Sequence, residues 1–530
     1  MTDHVDAVSK PLTKLPIETT PLLGLNVNVE HTSDNESADS TGTGTATATA
    51  TTTATYGSIA ASSTLFNGLV GVGSFSLPYA FKTAGLGLGL CILLIGAACS
   101  IITNIYTLDF LARAPETTAL ADKEKRERLE DHGTPRNADF SHPTSSTLIT
   151  STEVVHEISS VQVYSFSDLA GLFAGPIIKL LSQASIIAYG TPLAMATVFS
   201  SSAASLYFST MQSGDCDVFS ASPSVECIGS YYSILTLFTF LMVCMVYKEL
   251  TALADLQQIL TVYRGLTFFI MLLTVGRKLY IDGMYALDSR LHTTGYFHFD
   301  QFAAAFGPIF NALTTQYQVP PAIYPLKNKA KSMNVVTGYV SVATVIYVLV
   351  GVMCALAFDK VNPLVILEWS SYTGCGNGFE PCASNTFPSL LASSIKLLIL
   401  GFPLFNVISC FPLTCFCVGE NLLSCMPEAT VARFGREATF LACRMIICTI
   451  SITVAACMVR IDTLQTIVGL TGSVIGLSLP IFIEMCSIYM WPNQHKTPYT
   501  FQFITSNAFL KAFLVISMIC TSAALATFKV

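Results

Sequence analysis

The sequence is poor in charge. Only 12% of its 530 residues are Asp, Glu, Lys or Arg, whereas ordinary soluble chains carry about 25%. Hydrophobic residues make up 52%, and the mean hydropathy is +0.58. This excludes both a set of soluble domains and a disordered chain. The net charge is only -7 and no long basic stretch occurs, so nucleic acid is not expected as a partner. The composition predicts a lipid bilayer as the main solvent.

The sequence also lacks the patterns that membrane enzymes need. Its eight histidines are scattered through loops and the first part of the chain, without the spacing of zinc ligands. We therefore expect no metal, no cofactor and no enzymatic activity. Since no histidine falls in an apolar stretch, a buried histidine proton relay is not expected either. No cleavable signal peptide is evident at the start of the chain.

Eleven apolar stretches are long enough to cross a bilayer as helices, which takes roughly 20 residues each. They do not alternate polar and apolar residues as membrane strands would. We therefore predict an all-α polytopic membrane protein. In chain order, spans 1 to 11 are residues 58–81, 86–111, 177–208, 231–247, 257–276, 301–323, 335–357, 389–418, 439–459, 463–490 and 507–527.

Two polar segments flank or interrupt these spans. Residues 1–56 are rich in Thr and acidic residues and cannot form a core, so we predict a disordered tail. Residues 114–164, between spans 2 and 3, are predicted to be a solvated insert. The tail contains Glu18, Leu22 and Leu23 in an arrangement that resembles an acidic dileucine sorting signal. It favours an endolysosomal or vacuolar membrane, with sorting adaptors as partners and the plasma membrane as the alternative.

Lysine and arginine set the predicted orientation. If the N-terminus is cytoplasmic, the cytoplasmic loops and tail hold about twice as many of these residues as the opposite side. The tail and the insert would then be cytoplasmic, and the odd number of spans would place the C-terminus outside. Four cysteines fall in outer loops, where disulfides persist, although the sequence leaves their pairing open: Cys216, Cys227, Cys375 and Cys382.

Spans 1 and 6 carry residues that interrupt helices. Span 1 has a glycine cluster at its middle, followed by Pro78. Span 6 has Pro308, a polar stretch, and then Pro320 and Pro321. An interrupted helix cannot face lipid and must be covered by protein or line a cavity. Spans 1 and 6 are five apart, so they occupy corresponding positions in two halves of five spans, the second of which would be inverted. Interrupted helices at such positions indicate a transporter site.

These residues resemble the amino acid/auxin permease family, which includes sodium-coupled neutral and vacuolar amino acid transporters. The resemblance starts in span 1 with FNGLVGVGSFSLPYAFKTAG and continues in span 10 with LQTIVGLTGSVIGLSLPIFIE. Span 6 matches more loosely. The resemblance implies that residues 57–527 form a transmembrane amino acid transporter domain. It also implies a LeuT-like fold with a 5+5 inverted repeat plus an eleventh helix.

The resemblance assigns a substrate site to the two interrupted spans. Gly71, Val72, Gly73 and Ser74 would cradle the substrate carboxylate, together with Asn67. The positive end of the half-helix that follows Gly73 suits such a group. Three residues of span 6 would face the substrate: Phe310, Thr314 and Thr315.

The resemblance also raises the question of a coupling ion. Asn67 matches an asparagine that sodium-coupled members use near their ion, but the threonine that those members use in span 8 is missing. The nearest polar residues in span 8 are Asn406 and Ser409. Glu484 in span 10 is a further candidate, since charges at membrane depth are usually functional. It lies near the cytoplasmic edge, where a solvated or paired carboxylate is the alternative. H+ is therefore expected as the coupling ion more than Na+. Another charged residue, Arg264 in span 5, is expected to snorkel towards the interface.

Two hypotheses of function follow from these observations. The first is a secondary active transporter, a symporter or an exchanger, that moves amino acids by alternating access around a mid-membrane site. The alternative is an amino-acid-sensing membrane receptor with little net flux. Because both need the same pocket, the sequence does not separate them.

Overall fold

The computed structural model describes residues 57–131, 164–189, 191–208, 216, 218, 222–247, 254–382, 390–457, 461–490 and 497–527. The predicted sorting residues Glu18, Leu22 and Leu23 and the greater part of the insert lie outside these ranges. Within them the chain is helical, and the only β pairing is a single bridge between Cys375 and Glu380. The prediction of an all-α membrane protein is confirmed at this level.

Seventeen α-helices occur in the described residues. They are α1 (Ser58–Leu69), α2 (Leu77–Ala84), α3 (Leu86–Asp131), α4 (Phe166–Ala174), α5 (Pro176–Tyr189), α6 (Thr191–Tyr207), α7 (Val225–Tyr247), α8 (Ala254–Thr294), α9 (Phe302–Leu313), α10 (Val319–Ile323), α11 (Ser332–Ala357), α12 (Leu390–Leu423), α13 (Glu428–Phe434), α14 (Arg436–Ala456), α15 (Ile461–Ser473), α16 (Leu479–Met490) and α17 (Asn507–Thr527).

Eight continuous helical segments are long and apolar enough to cross a membrane. They correspond to predicted spans 2, 4, 5, 7, 8, 9, 10 and 11. The other three predicted spans consist of shorter helices: α1 with α2 for span 1, α5 with α6 for span 3, and α9 with α10 for span 6. The structure therefore shows a multi-pass protein, and the count of eleven spans requires these three to be assembled from pieces.

Two helices extend beyond their predicted ends. α3 continues from span 2 to Asp131, so the first part of the predicted insert is helical. Ala114 and Thr117 in this part are fully buried, which shows that the helix packs against protein there. α8 continues past span 5 to Thr294 and changes direction at Gly283, whose φ of 77° glycine adopts without strain.

Prolines within the membrane act differently from one helix to the next. Pro308 was expected to interrupt span 6, but α9 runs through it. This expectation was wrong, because a proline removes one donor without ending a helix whose neighbours cover the freed backbone. Pro320 and Pro321 instead lie in the first turn of α10, where a missing amide costs little.

Two disulfides join the four cysteines that were predicted to lie in outer loops. Cys216 pairs with Cys227, whose Cα atoms are 5.5 Å apart, and Cys375 pairs with Cys382 at 5.4 Å. Cys227 lies in the first turn of α7 rather than in the loop before it. The four cysteines that the sequence placed on one side are thus joined as two local pairs.

Candidate functional site

Span 1 is interrupted at its middle. α1 ends at Leu69, and Gly71 leaves the helical region with φ -115° and ψ -148°. A 3₁₀ turn, Val72–Ser76, then leads into α2. The Ser74 hydroxyl donates to the Gly71 carbonyl at 2.7 Å, which fixes the turn. We call residues 70–76 the span 1 break.

Span 6 is interrupted as well. α9 ends at Leu313, Thr314 and Thr315 leave the helical region, and a short 3₁₀ turn leads into α10. The Gln316 side chain accepts a hydrogen bond from the Thr315 amide at 2.9 Å. Its own amide donates to Thr103 at 3.0 Å, which ties this turn to span 2. We call residues 314–318 the span 6 break.

The two breaks are joined by a tyrosine of span 7. The Tyr347 hydroxyl lies 2.7 Å from the carbonyl oxygen of Leu69 and 3.2 Å from that of Ala312. These carbonyls belong to the last turns of α1 and α9, whose intrahelical partners are missing. A Cβ added at Gly73 would lie 3.0 Å from Ala312 Cα and N. The breaks are therefore in direct contact, and glycine at position 73 permits it.

A second tyrosine of span 7 contacts the span 6 break. The Tyr339 hydroxyl lies 2.8 Å from the Thr315 hydroxyl and accepts a hydrogen bond from Asn104 of span 2 at 3.1 Å. Sequence reasoning missed both Tyr339 and Tyr347. The available signal was their spacing of eight residues, which places the two tyrosines of α11 on the same side of that helix.

Span 10 supplies a row of glycines that lies against span 6. A Cβ at Gly469 would collide with the backbone of Gly307. One at Gly472 would lie 3.0 Å from the Thr314 hydroxyl oxygen, and one at Gly476 would lie at the same distance from that oxygen. Small residues let membrane helices approach this closely. The span 10 motif therefore serves to pack span 10 against the span 6 break.

Asn406 of span 8 faces the span 1 break. Its side chain is buried, and its Nδ2 has no hydrogen-bond acceptor among the described residues. A Cβ at Gly71 would lie 3.9 Å from this nitrogen. A buried amide donor without an acceptor is costly, so this donor indicates a place where an acceptor group can bind.

Asn67 and Ser409 meet around an arginine. The expectation that Arg264 snorkels was wrong, because its side chain is fully buried. Its Nη2 donates to the Ser409 hydroxyl at 3.0 Å and to Cys410 Sγ at 3.1 Å. Cys410 Sγ in turn lies 3.1 Å from the Asn67 carbonyl oxygen. The helix face that carries Arg264 packs against spans 1 and 8 rather than lipid, and hydropathy does not reveal which face that is.

Glu484 belongs to a different cluster. It pairs with Arg113 of α3, Nη2 to Oε2 at 2.9 Å, and Arg113 also pairs with Asp109 one turn earlier. Asp109 accepts hydrogen bonds from Thr497 and Thr500, which follow span 10. All three charged side chains are at least nine-tenths buried. The structure thus gives Glu484 a role in joining span 10 to span 2.

The remaining predicted residues occupy separate places. Phe310 packs its ring against Phe306, with centroids 4.3 Å apart, and points towards Gly96 of span 2. In this conformation it lies towards span 2 rather than between the breaks. The Thr314 hydroxyl lies between two carbonyl oxygens and donates to that of Phe310 at 2.7 Å and to that of Gly472 at 3.1 Å. Val72 begins the 3₁₀ turn, and its side chain is outside the described part of the structure.

A crevice leads towards the two breaks from the side of the N-terminal end of α1. Its volume is about 480 Å³, and it lies between span 1, span 5 and the first half of span 7. Phe66, Thr261 and Tyr339 line it. Thr261 donates a hydrogen bond to the Asn67 side chain at 2.9 Å, and Tyr339 contacts Thr315. The crevice therefore ends beside the last turn of α1 and beside a residue that contacts the span 6 break.

Comparison with known proteins agrees with the span 1 motif. Residues 54–134 match the model of a family described as transmembrane amino acid transporter protein. The chain is also similar to two curated proteins, each named transmembrane protein 104 homolog. One, from Caenorhabditis elegans, is 24% identical over 72% of the length of this chain and 71% of its own length. The other, from Caenorhabditis briggsae, is 23% identical over 69% of the length of this chain and 68% of its own length.

The matched segment covers α1, the span 1 break, α2 and α3. It therefore includes the span 1 motif and the half of the candidate site that span 1 contributes, whereas the span 10 and span 6 motifs lie outside it. The resemblance to the amino acid transporter family is confirmed, and residues 54–134 of this multi-pass membrane protein carry the signature of the transmembrane amino acid transporter family.

Proposed function

We propose that this protein is a secondary active transporter that moves amino acids by alternating access around the span 1 and span 6 breaks. One observation carries the proposal. Two interrupted helices touch at their interruptions through Gly73 and Ala312, share the Tyr347 hydroxyl, and face a buried asparagine donor that has no acceptor among the described residues. The family match favours amino acids as the substrate class and speaks against an enzyme.

The chemistry of the breaks suits a zwitterion. Gly71 precedes a 3₁₀ turn and α2, and within the described residues no side chain caps either helical start. The positive ends of this turn and of α2, together with the Asn406 Nδ2 donor, favour a carboxylate. On the other side, the hydroxyl groups of Thr314 and Thr315 and the nearby carbonyls offer acceptors for an ammonium group. An amino acid presents both charges on one carbon.

The proposed architecture has eleven spans, with two inverted repeats of five and one further helix. The breaks would then occupy corresponding positions in the two repeats, which is the arrangement that places a site at mid-membrane. We further propose a cytoplasmic N-terminus. In that orientation, the crevice beside α1 opens to the cytoplasm and would serve as the inner path to the site.

For coupling, we propose protons or exchange rather than sodium, and no bound cofactor. For location, we propose an endolysosomal or vacuolar membrane, reached through adaptors that bind the segment with Glu18, Leu22 and Leu23. Substitution of Leu22 and Leu23 by alanine is expected to move the protein to the plasma membrane. An unchanged distribution by fluorescence microscopy would remove the sorting proposal and leave the transport proposal intact.

The transport proposal is tested by uptake into proteoliposomes. A panel of radiolabelled amino acids is offered with an imposed pH gradient, an imposed sodium gradient, or substrate preloaded inside. We expect at least one amino acid to accumulate with the pH gradient or by exchange. Asn406→Ala is expected to lower that uptake about tenfold, the equivalent of about 1.4 kcal/mol.

The matched control is Ser451→Ala in span 9. Ser451 is buried and bonds only the Ile447 carbonyl of its own helix among the contacts described here, at 2.8 Å, so its loss should leave uptake unchanged. Amino acid binding without flux under every condition would contradict transport and favour the receptor. Equal uptake by Asn406→Ala and the wild type would contradict the site.

A further inference from the structure

Arg264 is a charged side chain in span 5. Its side chain is fully buried, and no carboxylate pairs with it among the described residues. Two of its nitrogens, Nε and Nη1, find no acceptor in the described part of the protein. A charge at this depth is expensive and marks a functional position by default. The guanidinium also keeps its proton under all conditions that proteins meet, so the positive charge is permanent.

The surroundings of Arg264 are those of a cation site. Its Nη2 contacts the hydroxyl of Ser409 at 3.0 Å, and Cys410 Sγ bridges the arginine to the carbonyl of Asn67. The Ser409 hydroxyl in turn donates to the Asn406 carbonyl at 2.9 Å. Carbonyl oxygens at the C-terminal end of a broken helix coordinate coupling cations in transporters with discontinuous helices, and here the Ser409 hydroxyl lies beside such an end.

The position of the charge relative to α1 also indicates a cation site. Asn67 lies in the last turn of α1, two residues before it ends at Leu69. The carbonyls of a helix C-terminus carry partial negative charge and attract cations. Since α1 ends inside the protein, this interaction is little screened by solvent. The guanidinium therefore stabilises the interrupted end of α1 against span 8, as a bound metal ion would.

We propose that Arg264 is a tethered cation that takes the place of a dissociable coupling ion between spans 1 and 8, so that the protein binds and carries its substrate without sodium. The inference rests on the proposed transport function and deepens it. It assigns Asn67 and Ser409 to the seat of this internal charge, and leaves Asn406 Nδ2 and the Gly71 backbone to the substrate. Because the charge never dissociates, it holds α1 in place but supplies no driving force.

The transport test compares sodium with choline in proteoliposomes at constant pH gradient. Wild-type uptake should be equal in the two salts. Arg264→Gln, which keeps hydrogen-bonding groups but not the charge, should reduce uptake at least tenfold, and Arg264→Lys should retain more than the glutamine variant. The control is Arg444→Gln in span 9, whose guanidinium lies 4.8 Å from the Phe440 ring centroid and should be dispensable for uptake.

A second measurement does not depend on transport. The unfolding midpoint of purified protein is recorded in sodium, lithium and choline chloride, because a ligand that binds the native state raises this midpoint. The wild type should unfold at the same temperature in all three salts. Arg264→Ala, which removes the charge and opens space beside Ser409 and the Asn67 carbonyl, should be stabilised by sodium or lithium relative to choline.

Each arm can overturn the inference. Sodium-stimulated uptake or sodium-dependent stabilisation of the wild type would do so, as would normal uptake by Arg264→Gln. An Arg264→Lys protein no more active than Arg264→Gln, or an Arg264→Ala protein indifferent to all three cations, would also contradict it. If the glutamine variant does not reach the membrane, the lysine variant and the wild-type salt comparison decide. A wild type that carries no amino acid at all would remove the proposed function, and the unfolding midpoints would still test the tethered cation.

Discussion

At the scale of the residue, single hydroxyl groups complete the hydrogen bonding of the interrupted backbone. Tyr347 reaches the carbonyls of Leu69 and Ala312, and the Ser100 hydroxyl donates to the Leu313 carbonyl at 3.0 Å. In lipid, a helix end without such partners would cost several kcal/mol. These side chains therefore permit two apolar helices to end inside the protein, and they hold the broken ends at fixed distances from one another.

Tyr347→Phe should separate this role from simple packing. The change removes one hydroxyl and leaves two buried carbonyls with one partner fewer, at a cost of about 1–3 kcal/mol. We expect amino acid uptake to fall about tenfold while the protein still reaches its membrane. Tyr231→Phe is the control, since Tyr231 is also buried and bonds a backbone carbonyl, that of Ala455 at 2.7 Å, away from the breaks. Equal loss in both variants would show that the effect is not specific to the site.

At the scale of the element, span 10 and span 6 are packed backbone against backbone. Gly307 of α9 and Gly469 of α15 face each other, and no side chain larger than hydrogen fits at position 469. This packing brings Gly472 and Gly476 to the Thr314 hydroxyl. The next residues of span 10, Val474–Ser478, form a π-helical turn, which is an irregularity that often accompanies functional sites.

Gly469→Leu should separate these helices. Overpacking of this kind costs about 1–3 kcal/mol, and here backbone atoms must move, so we expect the upper end of that range. The measurement is the unfolding midpoint in detergent together with uptake, and both should fall. Gly265→Leu is the matched control, because Gly265 is exposed on α8 with nothing within 4 Å of an added Cβ. An unchanged midpoint for Gly469→Leu would show that the helices are free to move apart.

The sequence predicted the interruptions of spans 1 and 6, but not how the interrupted backbone finds its hydrogen-bond partners. Glycine and proline act locally, so Gly71, Gly73, Pro320 and Pro321 indicated the breaks directly. Tyr347 and Arg264 act through contacts with other helices, and the sequence does not specify which face of a membrane helix meets which neighbour. Arg264 was therefore expected at the interface although it lies in the interior.

The charged residues of span 10 show the same limit. Glu484 was recognised as an unusual charge at membrane depth, and the sequence left open whether it was solvated, paired or used for coupling. Its partner Arg113 is 371 residues away in the chain. Pairing over such a separation follows from the packing of α3 against α16, and no local pattern in either helix indicates it.

At the scale of the whole molecule, the number of spans determines the sidedness of the two ends. Eight continuous spans are evident, and three more require the broken segments to cross the bilayer. Eleven crossings would put the ends on opposite sides. The disulfides Cys216–Cys227 and Cys375–Cys382 would then lie on the side opposite the N-terminus, where oxidising conditions let them persist.

Protease protection in sealed vesicles tests this arrangement. Short epitopes are fused to the N-terminus and to the C-terminus, and protease is added from the cytoplasmic side. We expect the N-terminal epitope to be cleaved and the C-terminal epitope to be protected until the membrane is opened with detergent. Cleavage of both epitopes in sealed vesicles would mean an even number of crossings and would exclude the eleven-span arrangement with inverted repeats.

The central claim is that an amino acid binds at the span 1 break beside Asn406, and equilibrium binding to Gly71→Ala tests it most directly. A methyl group at Gly71 makes only ordinary contacts, 3.8 Å from the Gly68 carbonyl oxygen and 3.9 Å from Asn406 Nδ2, so the variant should fold with an unchanged unfolding midpoint. Because that methyl group stands where the carboxylate would lie, we predict affinity at least tenfold weaker than for the wild type or a Gly265→Ala control. Wild-type affinity in a folded Gly71→Ala protein would contradict the account.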